Sequence, residues 1–337
     1  MTTPHQDYEY NNKTLYGIKS EVLRFSWAGY FLFVLASSLL GDTSILVSIK
    51  YKVFKLHKVV TVTIQHIAVT DLLVSLTDVL PKLISILSNG PIFSAFLCYL
   101  SPYLRYYFNI LSLLLICAMT STKLCLLKFP LRSDMIGTKR THMLCAACWL
   151  ASFSFPLTFL LVDKQDITFS YRTYKCTYGY TAGVWTKLKP ALALLFIYLP
   201  TCLVVTNTIF LLHIAKKSAR RSLKWQGILT SVLTAVVYCI SVLPMVVYYV
   251  GGRFLGDDQD RKRSFFYVHY YRIANSVVFL NTVSNFYIYS LTVSSFRRFL
   301  RFGLKSSRSS SFSTHSQGTR GRISGRRRTN SSSSVAV

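Results

Sequence analysis

VTVTIQHIAVTDLLVSLTDVLPKLISIL, residues 60–87, is a run of 28 residues in which full charge appears only at Asp71, Asp78 and Lys82. A helix rises about 1.5 Å per residue and the hydrocarbon core of a bilayer is roughly 30 Å thick, so about 20 such residues cross it. Working outward, the same test is passed upstream by Trp27–Ile49. Downstream it is passed by Phe96–Leu127, Met143–Val162, Leu188–Ala215, Trp225–Val250 and Phe265–Leu291. The expectation is an all-α chain: a bundle of seven transmembrane helices.

Composition supports this and excludes a soluble domain. Of 337 residues, 51% are hydrophobic and 15% charged, where soluble domains carry about 25% charged residues. Residues 1–20 are polar and the first apolar block is long, so that block is expected to act as its own insertion signal.

Lys and Arg gather in cytosolic loops, which orients the bundle. Lys50, Lys52, Lys55 and Lys58 follow the first block, Lys128, Arg132, Lys139 and Arg140 the third, and Lys216, Lys217, Arg220, Arg221 and Lys224 the fifth. The tail beyond Leu291 holds ten Lys and Arg and no acid. The other side mixes basic residues with Asp7, Glu9, Glu21, Asp163, Asp166, Asp257, Asp258 and Asp260, and carries the glycosylation sequon Asn12-Lys13-Thr14. The N-terminus is therefore expected outside and the C-terminus in the cytosol. The net charge of +27 reads as orientation and attraction to anionic membrane lipid, with no nucleic-acid partner. Three regions follow: an extracellular N-terminus (1–25), a membrane domain (26–303) and a tail (304–337) rich in Ser and Arg that cannot bury a core. Ser306–Thr314 and Thr329–Ser334 are candidate phosphorylation runs in that tail.

Polar groups inside a bilayer are costly and mark functional candidates. Here they fall into the order seen in rhodopsin-like G-protein-coupled receptors. Gly41-Asp42 resembles that family's Gly-Asn, and Ile67-Ala68-Val69-Thr70-Asp71-Leu72 its Leu-Ala-x-x-Asp. Trp149, Pro200 and Pro244 match single positions in the fourth, fifth and sixth helices. Asn281 with Asn285-Phe286-Tyr287-Ile288-Tyr289 resembles Asn-Pro-x-x-Tyr, and 294–300 resembles the short amphipathic eighth helix. The resemblance covers about residues 25–303, one match per helix.

It implies a plasma-membrane receptor passing an extracellular signal to heterotrimeric G proteins, with arrestin binding a phosphorylated tail. It implies a Cys98–Cys176 disulfide, and these two of the eight cysteines lie outside or at the outer rim, where oxidation is possible. It also implies a sodium ion held by Asp71, Ser112, Asn281 and Asn285, oxygen donors that suit a hard cation; a hydrogen-bonded core without an ion is the alternative. Apart from such an ion no cofactor is expected: opsins tether retinal to a seventh-helix Lys, and Phe279 stands there. Asp42 replaces the family's Asn and should bring a second carboxylate close to Asp71, so the two are not expected to ionise together.

Arg105, Asn109 and Ser112 recur at steps of four and three along the third block, one helical face expected to point into the bundle. Arg105 stands where amine receptors carry Asp, which favours an anionic ligand. Lys82, His269 and Arg272 could add positive potential, and Tyr99, Tyr103, Tyr106 and Tyr107 aromatic walls. The alternative is that Arg105 pairs with an internal acid such as Asp78.

The cytosolic end departs from the family. Thr122-Lys123-Leu124 replaces Asp-Arg-Tyr, Lys224 stands where relatives place an acid, Val242 replaces the sixth-helix Trp and Phe286 the seventh-helix Pro. Pro244 and Tyr289 of the switch remain. Competing readings are a receptor-like protein that binds ligand without efficient coupling, and a polytopic transporter. A transporter should show internal repeats and paired broken helices, and neither is found. An enzyme should cluster His, Asp or Cys, and the seven His are scattered.

Overall fold

The computed structural model describes residues 20–53, 56–91, 94–128, 137–162, 167–171, 174–178, 192, 194–217, 223–254 and 265–301. The sequon at Asn12 and both Ser/Thr runs of the tail lie outside the described residues. The described residues up to Arg298 belong to one compact unit; of the second unit only 299–301 are described, and they are helical.

Helices form where the sequence places apolar blocks, because a chain in hydrocarbon must satisfy every backbone N–H and C=O within its own segment. They are α1 (Glu21–Lys50), α2 (Lys58–Leu87), α3 (Ala95–Lys128), α4 (Thr138–Val162), α5 (Leu194–Tyr198 continuing as Leu199–Lys217), α6 (Leu223–Phe254), α7 (Phe265–Val277 and Leu280–Thr292) and a short α8 over 294–301. Between α4 and α5 a two-stranded antiparallel hairpin forms from β1 (Ile167–Ser170) and β2 (Lys175–Tyr178), with Phe169 opposite Cys176 and Ser170 opposite Lys175. Strands this short carry no sequence signal beside seven apolar blocks.

The ends of α1 follow local rules. Ser20 caps it by accepting the Leu23 N–H at 3.4 Å, Glu21 lies in its first turn and Lys50 in its last, each charge opposing the helix dipole. Both α2 and α5 widen into a π turn just before a proline, Ser75–Val79 ahead of Pro81 and Leu194–Tyr198 ahead of Pro200. A proline removes one ladder donor and crowds the carbonyl four residues back, and a wider turn relieves both. Pro102, Pro156 and Pro244 lie inside α3, α4 and α6 without interrupting them.

Five helices among the described residues are long and apolar enough to cross a bilayer on their own: Glu21–Lys50, Lys58–Leu87, Phe96–Lys128, Leu195–Ile214 and Gln226–Tyr248. The seventh apolar block is not one uninterrupted helix. It breaks at Val278–Phe279, where Phe279 N–H bonds to Ser276 C=O and Asn281 N–H to Val278 C=O, both three residues back. No proline lies at the break. The Tyr30 hydroxyl of α1 donates to Ser276 C=O at 2.8 Å, and that carbonyl is the one a continuous helix would offer to Leu280. A side chain inserted into the ladder is a recognised cause of a kink.

The helices close into a ring, α1 against α2 and α7, α6 against α5 and α7, with α3 central and in contact with α2, α4, α5 and α6. Phe31, Ile45, Ile64, Leu111, Leu115 and Ile116 are fully buried between them, while Leu32, Leu40, Leu150, Ile209 and Leu291 stay exposed, as a lipid-facing surface requires. Where α1 meets α7 the contact is close enough to need Gly41: a Cβ there would lie 2.6 Å from the Phe286 Cβ. Phe286, which stands in place of the family's proline, thus packs its base directly onto the α1 backbone.

Candidate functional site

Three polar regions occupy the bundle: an inner core, a cluster under the hairpin, and the C-terminal end of α3.

In the inner core Asp42 and Asp71 are both fully buried. Asp71 Oδ2 accepts from the Asn285 amide at 2.7 Å; Asp42 Oδ2 accepts from Ser38 Oγ at 2.7 Å, and Ser38 Oγ accepts in turn from Ser75 Oγ at 2.7 Å. The other oxygens, Asp42 Oδ1, Asp71 Oδ1, Asn281 Oδ1 and Asn285 Oδ1, are buried without a hydrogen-bond partner among the described residues. All four only accept. Such a surplus calls for a positive partner, and a set of carboxylate and amide oxygens fits a hard cation such as sodium. Ser112 is buried on α3, but no hydrogen bond joins it to Asp71 among the described residues. Tyr289 lies fully buried beside both carboxylates, with its hydroxyl next to Thr234 of α6.

The outer cluster begins with the disulfide between Cys98, at the start of α3, and Cys176 of β2. It pins the hairpin over the bundle, helped by buried Tyr174, whose hydroxyl donates to Asn89 Oδ1 at the outer end of α2 (3.1 Å). Lys175, next to Cys176, is carried inward, and its ammonium donates to Asn275 Oδ1 of α7 at 2.7 Å. From α3, Arg105 reaches Asp78 of α2 through Nε at 3.4 Å and the Cys176 carbonyl through Nη2 at 3.0 Å. The alternative left open by the sequence, Arg105 with Asp78, is the arrangement present. One turn above Asp78, the Lys82 ammonium is buried over the rings of Phe31 (4.3 Å to the centroid) and Phe279 (5.4 Å), and no hydrogen bond reaches it among the described residues. Lys175 lies 6.0 Å from the Phe279 ring. Arg272 is buried on α7, close enough to Lys82 for repulsion. Burial pushes the Lys175 amine well below the usual lysine range, the Arg105 guanidinium adds to this, and Asp78 opposes it.

Of the residues expected to meet a ligand, Arg105, Lys82 and Arg272 thus gather in one place. Tyr106 is half-buried and packs against Ile110, as do Leu114, Leu192 and Phe196. Asn109 is exposed, so the expected inward α3 face holds for buried Ser112 and half-buried Arg105 but is not closed at Asn109. Sequence reasoning missed Lys175, Asn275 and the two phenyl rings. For Lys175 a signal existed: it neighbours the cysteine tied to the rim of α3.

At the C-terminal end of α3, Thr122 and Lys123 are buried, and Leu124 packs on Leu211, Ile228 and Val232 of α5 and α6. Lys123 runs across to α6 and ends against Gly227, where an added Cβ would lie 2.5 Å from Nζ. Other basic residues of this side, among them Lys50, Lys58, Lys128, Lys139 and Lys216, are exposed. The α6 backbone remains helical through Pro244, whose carbonyl accepts the Tyr270 hydroxyl at 3.0 Å.

Comparison with known proteins accords with this architecture. The family model of the 7 transmembrane receptor (rhodopsin family) matches residues 43–289. Probable G-protein coupled receptor 63 of Mus musculus is 23% identical over 193 residues, 56% of this chain and 44% of that protein. Probable G-protein coupled receptor 63 of Homo sapiens is 22% identical over 202 residues, 59% of this chain and 47% of that protein. The chain spans about half the length of these curated relatives.

Proposed function

The chain belongs to the rhodopsin family of seven-transmembrane receptors, and on that premise we propose that it carries an extracellular anionic signal to heterotrimeric G proteins at the plasma membrane. One observation carries the ligand class: beneath the hairpin, Lys82, Arg105 and Lys175 surround Asp78, the one carboxylate in contact with them among the described residues. A buried excess of positive charge is costly on its own and is relieved by a negative partner. Arg105 shapes this site, fixing Asp78 and the hairpin carbonyl, and the lysines meet the ligand. The N-terminus faces outward and the tail inward, following the distribution of Lys and Arg; arrestin and anionic lipid are the further partners of that cytosolic face. The ion of the inner core is sodium, held by Asp42, Asp71, Asn281 and Asn285, where it would offset one of the two carboxylate charges.

The test is a G-protein activation and arrestin recruitment assay in transfected cells, run with a library of carboxylates, phosphates and sulfates on wild type, Lys175→Met and Lys123→Ala. An authentic ligand should lose at least about 30-fold in potency with Lys175→Met, the cost of removing one buried charged partner at its low end. Lys123→Ala should change the response without changing ligand binding. Ligands indifferent to Lys175→Met would remove the outer cluster from the proposal.

A further inference from the structure

Lys82 and Lys175 come from different elements, one from the second helix and one from the hairpin, and both end beside the ring of Phe279. The break at Val278–Phe279 falls at this ring, which is itself buried. Asp78 accepts from Arg105, and among the described residues no hydrogen bond joins it to either ammonium group. Among the described residues Lys82, Arg105 and Lys175 lie around the carboxylate of Asp78, so with both lysines protonated this buried cluster carries two positive charges in excess. A carboxylate ligand offers one negative charge and two coplanar oxygens. A phosphate monoester carries about −1.5 to −2 at neutral pH and three terminal oxygens, which accept from donors arriving in different directions. Lysine binds phosphate as a point charge with three rotatable donors, and among the described residues one donor of Lys175 is committed, to Asn275. The phenyl rings of Phe31 and Phe279 cover Lys82, and the low polarity there strengthens a charge-assisted bond.

We infer that Lys82 and Lys175 form the anchoring pair for a phosphate monoester group, the part of the ligand this receptor reads at its outer end. The inference rests on the anionic-ligand reading above and narrows it. Asn275 is a positioning residue that aims Lys175. The bland alternative is that Lys82 is satisfied by its two aromatic neighbours and never meets a ligand.

The experiment uses the full chain purified in nanodiscs, with thermal unfolding as readout, so that G-protein coupling plays no part. The probes are inorganic phosphate, AMP, octyl phosphate and, as a monoanionic match, octanoate. At least one phosphate compound should raise Tm at concentrations where octanoate does not. Which one responds distinguishes free phosphate, a nucleotide and a lipid-like headgroup as the source. Lys82→Met and Lys175→Met should each weaken that compound about 30-fold or more, while Lys82→Arg, which keeps the charge, should retain most of the shift. Lys82→Met removes a buried charge and is expected to fold at least as well as wild type, which its ligand-free Tm checks. Equal shifts with octanoate and octyl phosphate, both abolished by Lys175→Met, would overturn the phosphate assignment and leave the anionic-ligand reading standing. A phosphate shift untouched by both methionine variants, or no shift with any phosphate compound, would overturn the anchoring pair itself.

Discussion

The Lys123 ammonium occupies the space that a side chain at Gly227 would fill, 2.5 Å from where a Cβ would stand. In this family an arginine at the Lys123 position is expected to be held by an acidic neighbour and by an acid on the sixth helix. Here Thr122 is the neighbour and Lys224 is the residue in the acidic position, so charge cannot restrain the helices. A long buried side chain from α3 is seated instead in a glycine notch of α6.

Gly227→Ala should therefore unseat Lys123. The clash is with the far end of a flexible side chain, so the fold should tolerate it, and exchanging glycine for alanine in a helix favours the helix by about 1 kcal/mol. Basal G-protein activation, normalised to surface expression, should rise about fivefold, at the low end of coupling free energies between packed elements. A Gly227→Ala receptor with unchanged basal activity and normal expression would show that the notch restrains nothing.

Asp42→Asn should relieve the inner core of one of its two facing carboxylates while keeping the acceptor that Ser38 uses. If it removes about 1 kcal/mol of repulsion, Tm in sodium-free buffer should rise by about 2–4 °C. The gain in Tm on adding sodium chloride, compared with choline chloride, should shrink in the variant, because fewer negative oxygens remain to hold the ion. A sodium response equal to wild type would mean that Asp42 takes no part in the site.

The contact of Gly41 with Phe286 predicts an unusual pattern of rescue. Gly41→Ala forces a methyl group onto the Phe286 Cβ, and such overpacking costs about 1–3 kcal/mol. Because the nearest atom is the Cβ, Phe286→Ala should not restore stability. Phe286→Gly should, in the sense that the double variant melts no lower than Phe286→Gly alone. Additive losses in that double-mutant cycle would contradict the contact.

The order of these features of legibility is physical. Span length depends only on local composition, so the helices and the polar residues inside them could be read directly from the chain. The break in α7 could not, because neither Val278 nor Phe279 disfavours a helix; it depends on a hydroxyl from Tyr30, 246 residues away, reaching the Ser276 carbonyl. For Arg105 the residue was legible and its partner was not, since Asp78 and an external anion satisfy a guanidinium equally well on paper. Lys175 was hidden differently. It reads as one more exposed loop lysine until the hairpin places it beneath its own cover, and Gly227 has meaning only once Lys123 is seen to end there.

That covered lysine should give the protein a pH dependence of known sign. Burial and the Arg105 guanidinium depress the Lys175 amine in the folded state, Lys82 acts in the same direction and Asp78 opposes them. The unfolded chain holds its lysine proton up to the ordinary value of 10.5. Between the depressed value and 10.5 the unfolded state therefore binds more protons than the folded one, and stability rises with pH across that window. Below it both states are protonated, and the cost of burying the ammonium is fully present. Tm measured in nanodiscs from about pH 6 to about pH 10 should accordingly climb more steeply in wild type than in Lys175→Met, with the two curves closest at the alkaline end. Asp78→Asn removes the opposing carboxylate and should steepen the wild-type slope while lowering Tm at every pH in the range. Parallel curves for wild type and Lys175→Met would show that Lys175 keeps its proton in the folded protein, held there by Asp78 and Asn275.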